Sequence, residues 1–402
     1  DFIPRLIRQT EWQQVEKGLK QRVKALNMFI EDCYNKQNFL NESDIDKSLV
    51  LDSPAYKNYC VDVKLKHNTW SHICGSDLIK AQDGKFYVLE DNLRVPSGVS
   101  YMLENRMIMK RVFPELFYQY GVTPIDAYPT KLYETLASVS NSRSKHPEIV
   151  LLTPGMFNSA YYEHSFLAQQ MGIDLVEGRD LIIGKEGFVY KKTIEGLVKV
   201  DVIYRRIDDD YLDPDQGNPK SAIGVKGLIK AWQQKKVTIV NSPGCGIADD
   251  KAVYAFVPKM IKYFLNEEPI IRNIKTFLLT NKEHRDHVFN NFKDMVIKPV
   301  AESGGYGIVI GKNCSRSEKD STIRKIMNNP RNFVAQPLIS LSTTPTYSGE
   351  NLEPRHLDLR PFILSGEKQY VTVGGLTRVA LKKGSTVVNS SQGGGSKDTW
   401  IV

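Results

Sequence analysis

The apolar residues near the start of the chain recur at three- and four-residue steps. The series lies between Glu11 and about Tyr34 and comprises Trp12, Val15, Leu19, Val23, Leu26 and Ile30. Because both steps bring side chains to one face of a helix, the pattern predicts an amphipathic α-helix. We interpret its apolar stripe as a packing face rather than a surface for a membrane or a partner helix.

A different pattern follows, in which polar and apolar side chains alternate. The segment Phe86–Glu90 is typical of a β-strand, and Asp83-Gly84 before it is typical of a hairpin turn. The sequence therefore predicts a strand pair over about Asp77–Leu89. Since side chains alternate along a strand, Glu90 and Asn92 are expected on the same side.

The middle of the chain alternates between short apolar runs and helical patterns, after a polar linker at Ser138–Pro147. The predicted strands are Glu148–Thr153, Asp174–Val176, Gly187–Lys191, Asp201–Arg206 and Val237–Asn241, and the predicted helices are Asn158–Met171 and Lys226–Lys235. Such alternation indicates a mainly parallel α/β unit. Parallel sheets bind ligands at the ends of their strands, which is where Arg205, Arg206 and Asp208 lie. These residues can therefore belong to a ligand site, or they can form ordinary ion pairs on the surface.

Composition narrows the class of protein. With 402 residues, 41% of them hydrophobic and 25% charged, the chain can form two or three domains with real cores. The net charge of +8 is spread along the chain, which suits anionic small molecules and gives no sign of nucleic acid. No apolar run is long enough to span a membrane.

The five cysteines are widely spaced and odd in number, which argues against zinc sites and disulfides and favours the cytoplasm. The first residue is Asp1 rather than Met, so we expect a further segment before it.

The acidic residues of the strand pair suggest a metal site. Asp77 stands thirteen residues before Glu90, and Asn92 follows two residues later. Carboxylate and amide oxygens suit a hard cation such as Mg²⁺, which usually bridges to phosphate. The alternative interpretation is a polar strand end that runs into a turn.

The common nucleotide-binding motifs are absent from the sequence. The chain contains no P-loop, no complete Gly-x-Gly-x-x-Gly and no protein-kinase signature. It does contain an apolar strand that carries Lys298, at Met295–Pro299, and a glycine-rich segment at Glu302–Ile310. A further strand follows at Phe333–Leu338, whose backbone can pair with an adenine edge. A strand lysine can bind phosphate, and glycines let backbone N–H groups approach oxyanions.

In this order, these features resemble the ATP-grasp enzymes, with Asp250-Lys251 similar to their first phosphate-binding lysine. The metal residues normally follow the lid, but here they precede it. This inversion resembles the circularly permuted ATP-grasp proteins, which include glutathionylspermidine synthetase-like ligases, and in particular the bacterial type 2 family. The resemblance covers essentially the whole chain, through the segments Leu89–Tyr101, Thr153–His164, Val202–Asp210, Asp249–Tyr254, His356–Phe362, Gly374–Ala380 and Asn389–Trp400.

The resemblance implies an α/β (α+β) fold, a circularly permuted ATP-grasp fold with an inserted Rossmann-like pre-ATP-grasp α/β domain. The expected domains are 1–137 (N-terminal helices and metal-binding half), 138–247 (the inserted domain) and 248–402 (nucleotide-binding lid region and closing tail). ATP and Mg²⁺ are the expected cofactors. The expected metal ligands are Asp77, Glu90 and Asn92. The expected nucleotide-binding residues are Lys251, Lys298, Glu302, Ser303, Gly304, Gly305, Tyr306, Gly307, Gln336, Pro337 and Leu338.

One departure from the family pattern concerns the catalytic cation. Many ATP-grasp ligases carry an arginine two residues before the first metal aspartate, where this chain has Gly75. The candidate replacements are Arg378, Arg360 and Arg94, each of which can also be a structural ion-pair partner.

The expected substrate-binding residues are Ser97, Asn158, Tyr161, Arg205, Arg206 and Lys397. Lys397 lies in the polar tail at Asn389–Asp398, which is either a closing loop or a flexible linker. The arginines of this set suit a carboxylate, which they bind bidentately.

The leading hypothesis is an ATP- and Mg²⁺-dependent carboxylate–amine ligase that acts through an acylphosphate. Its partners would be a small-molecule carboxylate and an amine, of the amino acid, peptide or polyamine class. Two alternatives stay open: an ATP-dependent phosphotransferase, and a non-catalytic nucleotide-binding partner in a peptide or amide-bond pathway. Gly75 in place of arginine motivates the second alternative.

Overall fold

The computed structural model describes residues 1–300, 307–347, 349, 351–380, 384, 388 and 394–402. The α-helices in these ranges are α1 (Gln9–Tyr34), α2 (Asn38–Glu42), α3 (Ser48–Leu51), α4 (Val99–Val112), α5 (Pro114–Tyr120), α6 (Tyr128–Ser138), α7 (Tyr161–Met171), α8 (Asp209–Leu212), α9 (Leu228–Gln233), α10 (Lys251–Tyr254), α11 (Val257–Leu265), α12 (Lys282–Asn290) and α13 (Arg316–Asn328).

The strands in the same ranges are β1 (Arg5–Ile7), β2 (Ile73–Lys80), β3 (Phe86–Asn92), β4 (Ile149–Leu152), β5 (Asp174–Val176), β6 (Leu181–Ile183), β7 (Val189–Thr193), β8 (Gly196–Lys199), β9 (Val202–Arg205), β10 (Thr238–Val240), β11 (Arg272–Asn273), β12 (Phe277–Leu278), β13 (Met295–Pro299), β14 (Val309–Ile310), β15 (Phe333–Pro337), β16 (Thr343–Tyr347), β17 (Leu352–Arg360), β18 (Phe362–Ser365), β19 (Gln369–Val371), β20 (Leu376–Val379), β21 (Gly395–Lys397) and β22 (Thr399–Ile401).

The predicted amphipathic helix is confirmed as α1, and its stripe is a packing face. All six apolar residues of the series are buried, and none is more than 3% exposed. They belong to the largest hydrophobic core, which also includes Met260 and Ile261 of α11. Burial of this face supplies most of the stability of such a helix.

The largest sheet carries the predicted hairpin. Its strands run in the order β11-β3-β2-β17-β20-β21, with β18 also paired to β2. In the antiparallel pair β2–β3, Asp77 lies opposite Glu90. The strands β17 and β20, which carry Arg360 and Arg378, follow next in the sheet. The sheet therefore joins chain segments that are far apart in sequence.

The middle of the chain forms a second sheet, in which the order β10-β9-β4-β5 is parallel throughout. The predicted parallel α/β unit is thus present, with α7 beginning at Tyr161 rather than Asn158. The strand predicted at Gly187–Lys191 is instead β7, the centre of a small antiparallel sheet β6-β7-β8. Assignment of this unit to an inserted Rossmann-like domain, and the three domain limits, stay predictions.

A further antiparallel sheet has the order β12-β15-β13-β14, and its strand β13 carries Lys298. Its own core contains residues of α12 and α13 together with the strands, among them Val288, Ile297 and Ile326. This unit corresponds to the predicted lysine strand and the strand that follows it.

One side chain joins the parallel sheet to the hairpin. Asn241 follows β10, and its Oδ1 accepts hydrogen bonds from the backbone N–H groups of His72 and Ile73. Its Nδ2 donates to the carbonyls of Ile73, Leu93 and Arg94. This single amide therefore fixes the start of β2 and the segment after β3.

Candidate functional site

The hairpin β2–β3 places the predicted metal residues side by side. Asp77 is buried, at 2% exposure, and faces Glu90 across the strand pair. Asn92 lies opposite Gly75, and its Nδ2 donates to the Gly75 carbonyl at 3.1 Å. The side chains of Glu90 and Asn92 both line one polar cleft.

On its other face the same strand is held by a buried ion pair. Asp91 accepts hydrogen bonds from Nε and Nη2 of Arg22 on α1, with Nη2 at 2.7 Å. Ser76 also donates to Asp91, at 2.9 Å. Helix α1 therefore sets the position of the strand that carries Glu90 and Asn92.

Two arginines lie against Asp77. Arg360 donates to Asp77 through Nε at 2.5 Å and Nη2 at 2.7 Å, and Arg378 donates through Nη2 at 2.7 Å. Burial opposes ionisation of Asp77, but the two guanidinium groups outweigh it and hold the pKa of this carboxyl well below its ordinary range. Arg378 also pairs with Asp358, which lies opposite it in the neighbouring strand.

The predicted phosphate lysines approach the same region. Lys251 opens α10, where Asp250 caps the helix by accepting from the Ala252 N–H. The Nζ of Lys251 lies 3.8 Å from Glu90 Oε2. Lys298 is buried, which lowers its pKa; Lys251 lowers it as well, while Glu90 and Asp77 oppose this shift. The structure thus brings the early acidic groups and the late lysines together.

The same charged groups affect the pKa of Glu90. Burial raises the pKa of Glu90, and the nearby Asp77 carboxylate raises it too, whereas Lys251, Lys298 and Arg360 act in the opposite direction. An additional cation beside Glu90 would therefore stabilise its ionised form.

The third arginine candidate, Arg94, lies at the rim of the cleft. Its Nε donates to Asp249 at 2.8 Å, and its Nη1 is 3.6 Å from Asp208. The side chains that line the cleft include those of Glu90, Asn92, Arg94, Asp208, Asp249 and Lys251.

Ser97 lies next to this group of charges. Its carbonyl accepts from Nη1 of Arg360 at 3.2 Å, and its hydroxyl accepts from Nη2 of Arg206 at 2.5 Å. Arg206 also donates to the Pro96 carbonyl and pairs with Glu163 of α7. Through these contacts, the buried Arg206 holds the loop after the hairpin in place.

Glu163 completes the support of this loop. Its Oε2 accepts from the N–H groups of Gly98 and Ser100 at the start of α4. Gly98 has a φ of 117°, which glycine adopts without steric cost. The parallel α/β unit therefore positions the loop that touches Arg360.

Several predicted substrate residues do not face the cleft. Arg205 is fully buried; it donates to the carbonyls of Asn241 and Ile207 and pairs with Asp209. Lys397 is buried, and its Nζ donates to Asp1 and to two backbone carbonyls. Asn158 is exposed and accepts from the Ala160 N–H, next to Tyr161 at the start of α7.

The predicted adenine strand is present as β15. Gln336 is buried and donates through Nε2 to the Thr276 hydroxyl at 3.0 Å, and Pro337 pairs with Met295. The backbone N–H of Leu338, just after β15, donates to the carbonyl of Asp294, just before β13, at 2.7 Å, so this donor is already used by the protein. Of the glycine-rich loop, Gly307 is described; Glu302, Ser303, Gly304, Gly305 and Tyr306 lie outside the described residues.

Asp358 was missed by sequence reasoning, although a signal for it existed. Asp358 and Arg360 are two residues apart on a strand, the same spacing that indicated Glu90 and Asn92. Asn241 and Glu163 were missed as well, and nothing in their local sequence marks them as contacts of a distant loop.

Among the described residues, no three His, Cys, Asp or Glu side chains are grouped so that they could hold a metal ion. The predicted set contains only two carboxylates, with an amide as third ligand. Within the same ranges, no helix is both long and apolar enough to cross a membrane.

Comparison with known proteins decides the family. Residues 4–380 match the family model of circularly permuted ATP-grasp type 2 proteins. The chain belongs to this family. The fold class predicted from the sequence, a circularly permuted ATP-grasp fold of the mixed α/β type, is thereby confirmed.

Two bacterial proteins are similar to this type 2 chain along its whole length. An uncharacterised protein of Synechocystis sp. is 49% identical over 403 residues, which span all of this chain and 84% of the relative. An uncharacterised protein of Mycobacterium tuberculosis is 46% identical over 403 residues, spanning all of this chain and 73% of the relative.

A Frankia casuarinae protein, provisionally named glutamate–cysteine ligase 2-2, is 39% identical over 404 residues. The match spans all of this chain but 46% of that protein.

A solved structure shares the fold. The apo form of a glutathione synthetase-like effector from Globodera pallida aligns with a TM-score of 0.61, over 99% of this chain and 89% of the effector, at 12% identity. Membership of the type 2 family, together with the provisionally named ligase, supports an ATP-dependent ligase.

Proposed function

We propose that this type 2 ATP-grasp chain is an ATP- and Mg²⁺-dependent ligase that joins a small-molecule carboxylate to an amine. The observation that carries the proposal is the meeting of acidic and basic groups at Glu90. Asp77 lies opposite Glu90 in the strand pair, Nζ of Lys251 is 3.8 Å from its carboxylate, and Lys298 is close enough to affect its pKa. Acidic oxygens on one side and ammonium groups on the other suit a metal-bound triphosphate.

The donor set fits Mg²⁺. Asp77, Glu90 and Asn92 offer hard oxygen ligands on two adjacent strands, and the Asn92 nitrogen is already committed to the Gly75 carbonyl. This contact leaves the amide oxygen of Asn92 as the group for a cation. When bound, Mg²⁺ supplies positive charge between the phosphate oxygens.

In the proposed reaction, a carboxylate oxygen attacks the γ-phosphorus of ATP and ADP leaves. The amine nitrogen then attacks the acyl carbon, phosphate leaves, and the nitrogen loses a proton. Lys251 and Lys298 bind the phosphates, and Arg360 and Arg378 stabilise negative charge at the transferring group. The protein thus acts mainly through positioning and charge.

The position of Arg360 bears on Gly75, where many ATP-grasp ligases carry arginine. A Cβ atom placed on Gly75 would lie 3.5 Å from Cδ of Arg360. The side chain of Arg360 therefore already passes over position 75, and its guanidinium group reaches Asp77. This contact favours a catalytic chain over the non-catalytic alternative.

The domain limits 1–137, 138–247 and 248–402 are part of this proposal. In that division the first unit supplies the metal ligands, the last supplies the lysines, and the middle unit holds the loop at Ser97 through Arg206. The adenine would bind along Gln336–Leu338.

The test is incubation of the protein with ATP, Mg²⁺ and pools of amino acids, short peptides and polyamines. The pools include glutamate and cysteine, because the Frankia relative is provisionally named for them. Release of ADP and phosphate only when a carboxylate and an amine are both present supports the ligase. A stable phosphorylated acceptor would show a phosphotransferase, and binding without turnover in every pool would show a non-catalytic protein.

A further inference from the structure

The carboxylate of Asp77 is fully engaged by arginine. Arg360 binds both of its oxygens, at 2.5 and 2.7 Å, and Arg378 adds a third hydrogen bond at 2.7 Å. A divalent cation held by Asp77, as proposed above, would use the same oxygens. Metal and guanidinium groups therefore compete for one acceptor.

The two arginines are held differently. Arg378 is 5% exposed, and its Nε and Nη2 both bind Asp358, so its position does not depend on Asp77. Arg360 has Asp77 as its one carboxylate partner among the described residues, and its remaining contact is the Ser97 carbonyl at 3.2 Å. Arg360, which has no second carboxylate to hold it among the described residues, is therefore the arginine that can turn away from Asp77.

The sheet provides room for this side chain. A Cβ on Gly75 would lie 3.5 and 3.6 Å from Cδ and Cγ of Arg360, and 3.2 Å from Cβ of Pro96. A side chain larger than alanine at position 75 would therefore extend into the volume that Arg360 occupies. Glycine keeps the path of Arg360 across the sheet open.

We propose that Arg360 exchanges between Asp77 and the phosphates of the nucleotide. In the metal-free site it neutralises Asp77; a divalent cation then takes Asp77, and Arg360 turns to the phosphates, which guanidinium binds bidentately. Arg378 stays on Asp358 and keeps Asp77 in place. This inference rests on the proposed function, since it takes Asp77 to be a metal ligand.

The exchange couples the binding of metal and nucleotide. The cation alone must displace Arg360 without offering it a new partner, whereas the cation with ATP supplies one. Each ligand therefore strengthens the binding of the other.

The experiment compares Arg360→Gln with the wild-type protein, with Mn²⁺ as a paramagnetic substitute for Mg²⁺ measured by electron paramagnetic resonance. Without nucleotide, Arg360→Gln should bind Mn²⁺ about tenfold more tightly, because charge-assisted hydrogen bonds no longer have to break. In the presence of Mn²⁺, the same variant should bind ATP more weakly than the wild type, because the phosphates lose a guanidinium partner. A purely structural role does not produce changes of opposite sign.

Two further variants separate the exchange from a simple loss of charge. Arg378→Gln should raise Mn²⁺ affinity less than Arg360→Gln, because Arg360 still occupies Asp77, and should lose more stability, because Asp358 is left buried and unpaired. Arg355→Gln, on the same strand and paired with Glu353, is the matched control and should change neither affinity.

Unchanged or weaker Mn²⁺ binding by folded Arg360→Gln would overturn the exchange, and so would an equal rise in Arg378→Gln. Arg360→Lys, which keeps the charge but cannot bind bidentately, should lie between the wild type and Arg360→Gln. If the wild type binds no ATP with Mn²⁺, the proposed function fails, and the nucleotide-free comparison still decides whether Arg360 guards Asp77.

Discussion

The charged residues around Asp77 and Glu90 form a chain of alternating signs. Hydrogen bonds link Asp358 to Arg378, Arg378 to Asp77, and Asp77 to Arg360. The charges of Asp77, Lys251 and Lys298 then act on Glu90. Every one of these groups is close to an opposite charge. Removing a single member therefore changes the electrostatic balance for its neighbours.

Lys298→Ala should weaken ATP binding at least tenfold, or by about 1.4 kcal/mol, because a charge-assisted phosphate contact is lost. Isothermal titration calorimetry with Mg²⁺ present measures the change. Lys312→Ala removes an exposed lysine of the same unit and should leave the affinity unaltered. Equal affinities for wild type and Lys298→Ala would contradict the assignment of this lysine.

Glu90→Gln should retain the fold but remove the Mg²⁺ dependence of ATP binding, since the amide keeps the shape and loses the charge that attracts the cation. ATP affinity is measured across a Mg²⁺ titration, with Glu186→Gln, an exposed position, as control. If the Mg²⁺ titration of Glu90→Gln matches that of the wild type, the metal site lies elsewhere.

The positions of single residues could be predicted from the sequence in some cases and not in others. Period-two alternation predicted that Glu90 and Asn92 share a side, and both line the cleft. Arg205 was predicted to bind substrate, yet it is buried, donates to backbone carbonyls and pairs with Asp209. An arginine at a strand end looks the same in sequence whether its partner is a ligand or the protein's own backbone.

Among the elements, β3 depends on its contact with α1. Arg22→Gln should lower the free energy of unfolding by about 3–5 kcal/mol, because Asp91 would stay buried without its partner. Urea denaturation measures the loss. Lys20→Gln breaks a partly exposed pair with Glu16 on the same helix and should cost only about 0.2–0.5 kcal/mol. Similar losses in both variants would show that the buried pair does not hold the strand.

Local periodicity located most elements correctly but not all of their partners. The helix α1 and the strands β4, β9 and β10 agree with the prediction to within a few residues. The strand β7 was found in sequence but placed in the wrong sheet. Whether a short strand pairs parallel or antiparallel depends on neighbours that come from other parts of the chain.

Across the molecule, we expect two buried histidines to make the free energy of unfolding depend on pH. Burial lowers the pKa of His72 and of His164 to about 3, from an ordinary value of 6.5, with smaller contributions from His67 and Arg206 respectively. The unfolded chain binds these protons at higher pH than the folded chain does. Stability is therefore complete above about pH 6.5 and falls as the pH decreases towards 3.

His72→Gln should reduce this pH dependence, because each buried histidine contributes at most about 1.4 kcal/mol per pH unit in that window. Urea denaturation at about pH 7 and about pH 5 gives the slope. His146→Gln changes an exposed histidine and should keep the wild-type slope. A wild-type slope in His72→Gln would show that the pKa of His72 does not differ between the folded and the unfolded chain.

The permuted order of the ATP-grasp parts was readable from the sequence, because the acidic strand pair, the lysine strand and the later strand each have a local pattern. The contacts of Asn241 and Glu163 were not, since both bind backbone groups of a distant segment. Side chains that hold another loop in place leave no periodic signal near their own position.

The separation between Asp77 and its arginines also affects how the protein is made. Arg360 follows Asp77 by 283 residues and Arg378 by 301. When the β2–β3 hairpin leaves the ribosome, the far edge of β2 has no neighbour, and the carboxylate of Asp77 lacks both arginine partners until β17 and β20 have been translated. The nascent polypeptide therefore exposes an open strand edge with an unpaired carboxylate, which chaperones can protect until β17 and β20 arrive.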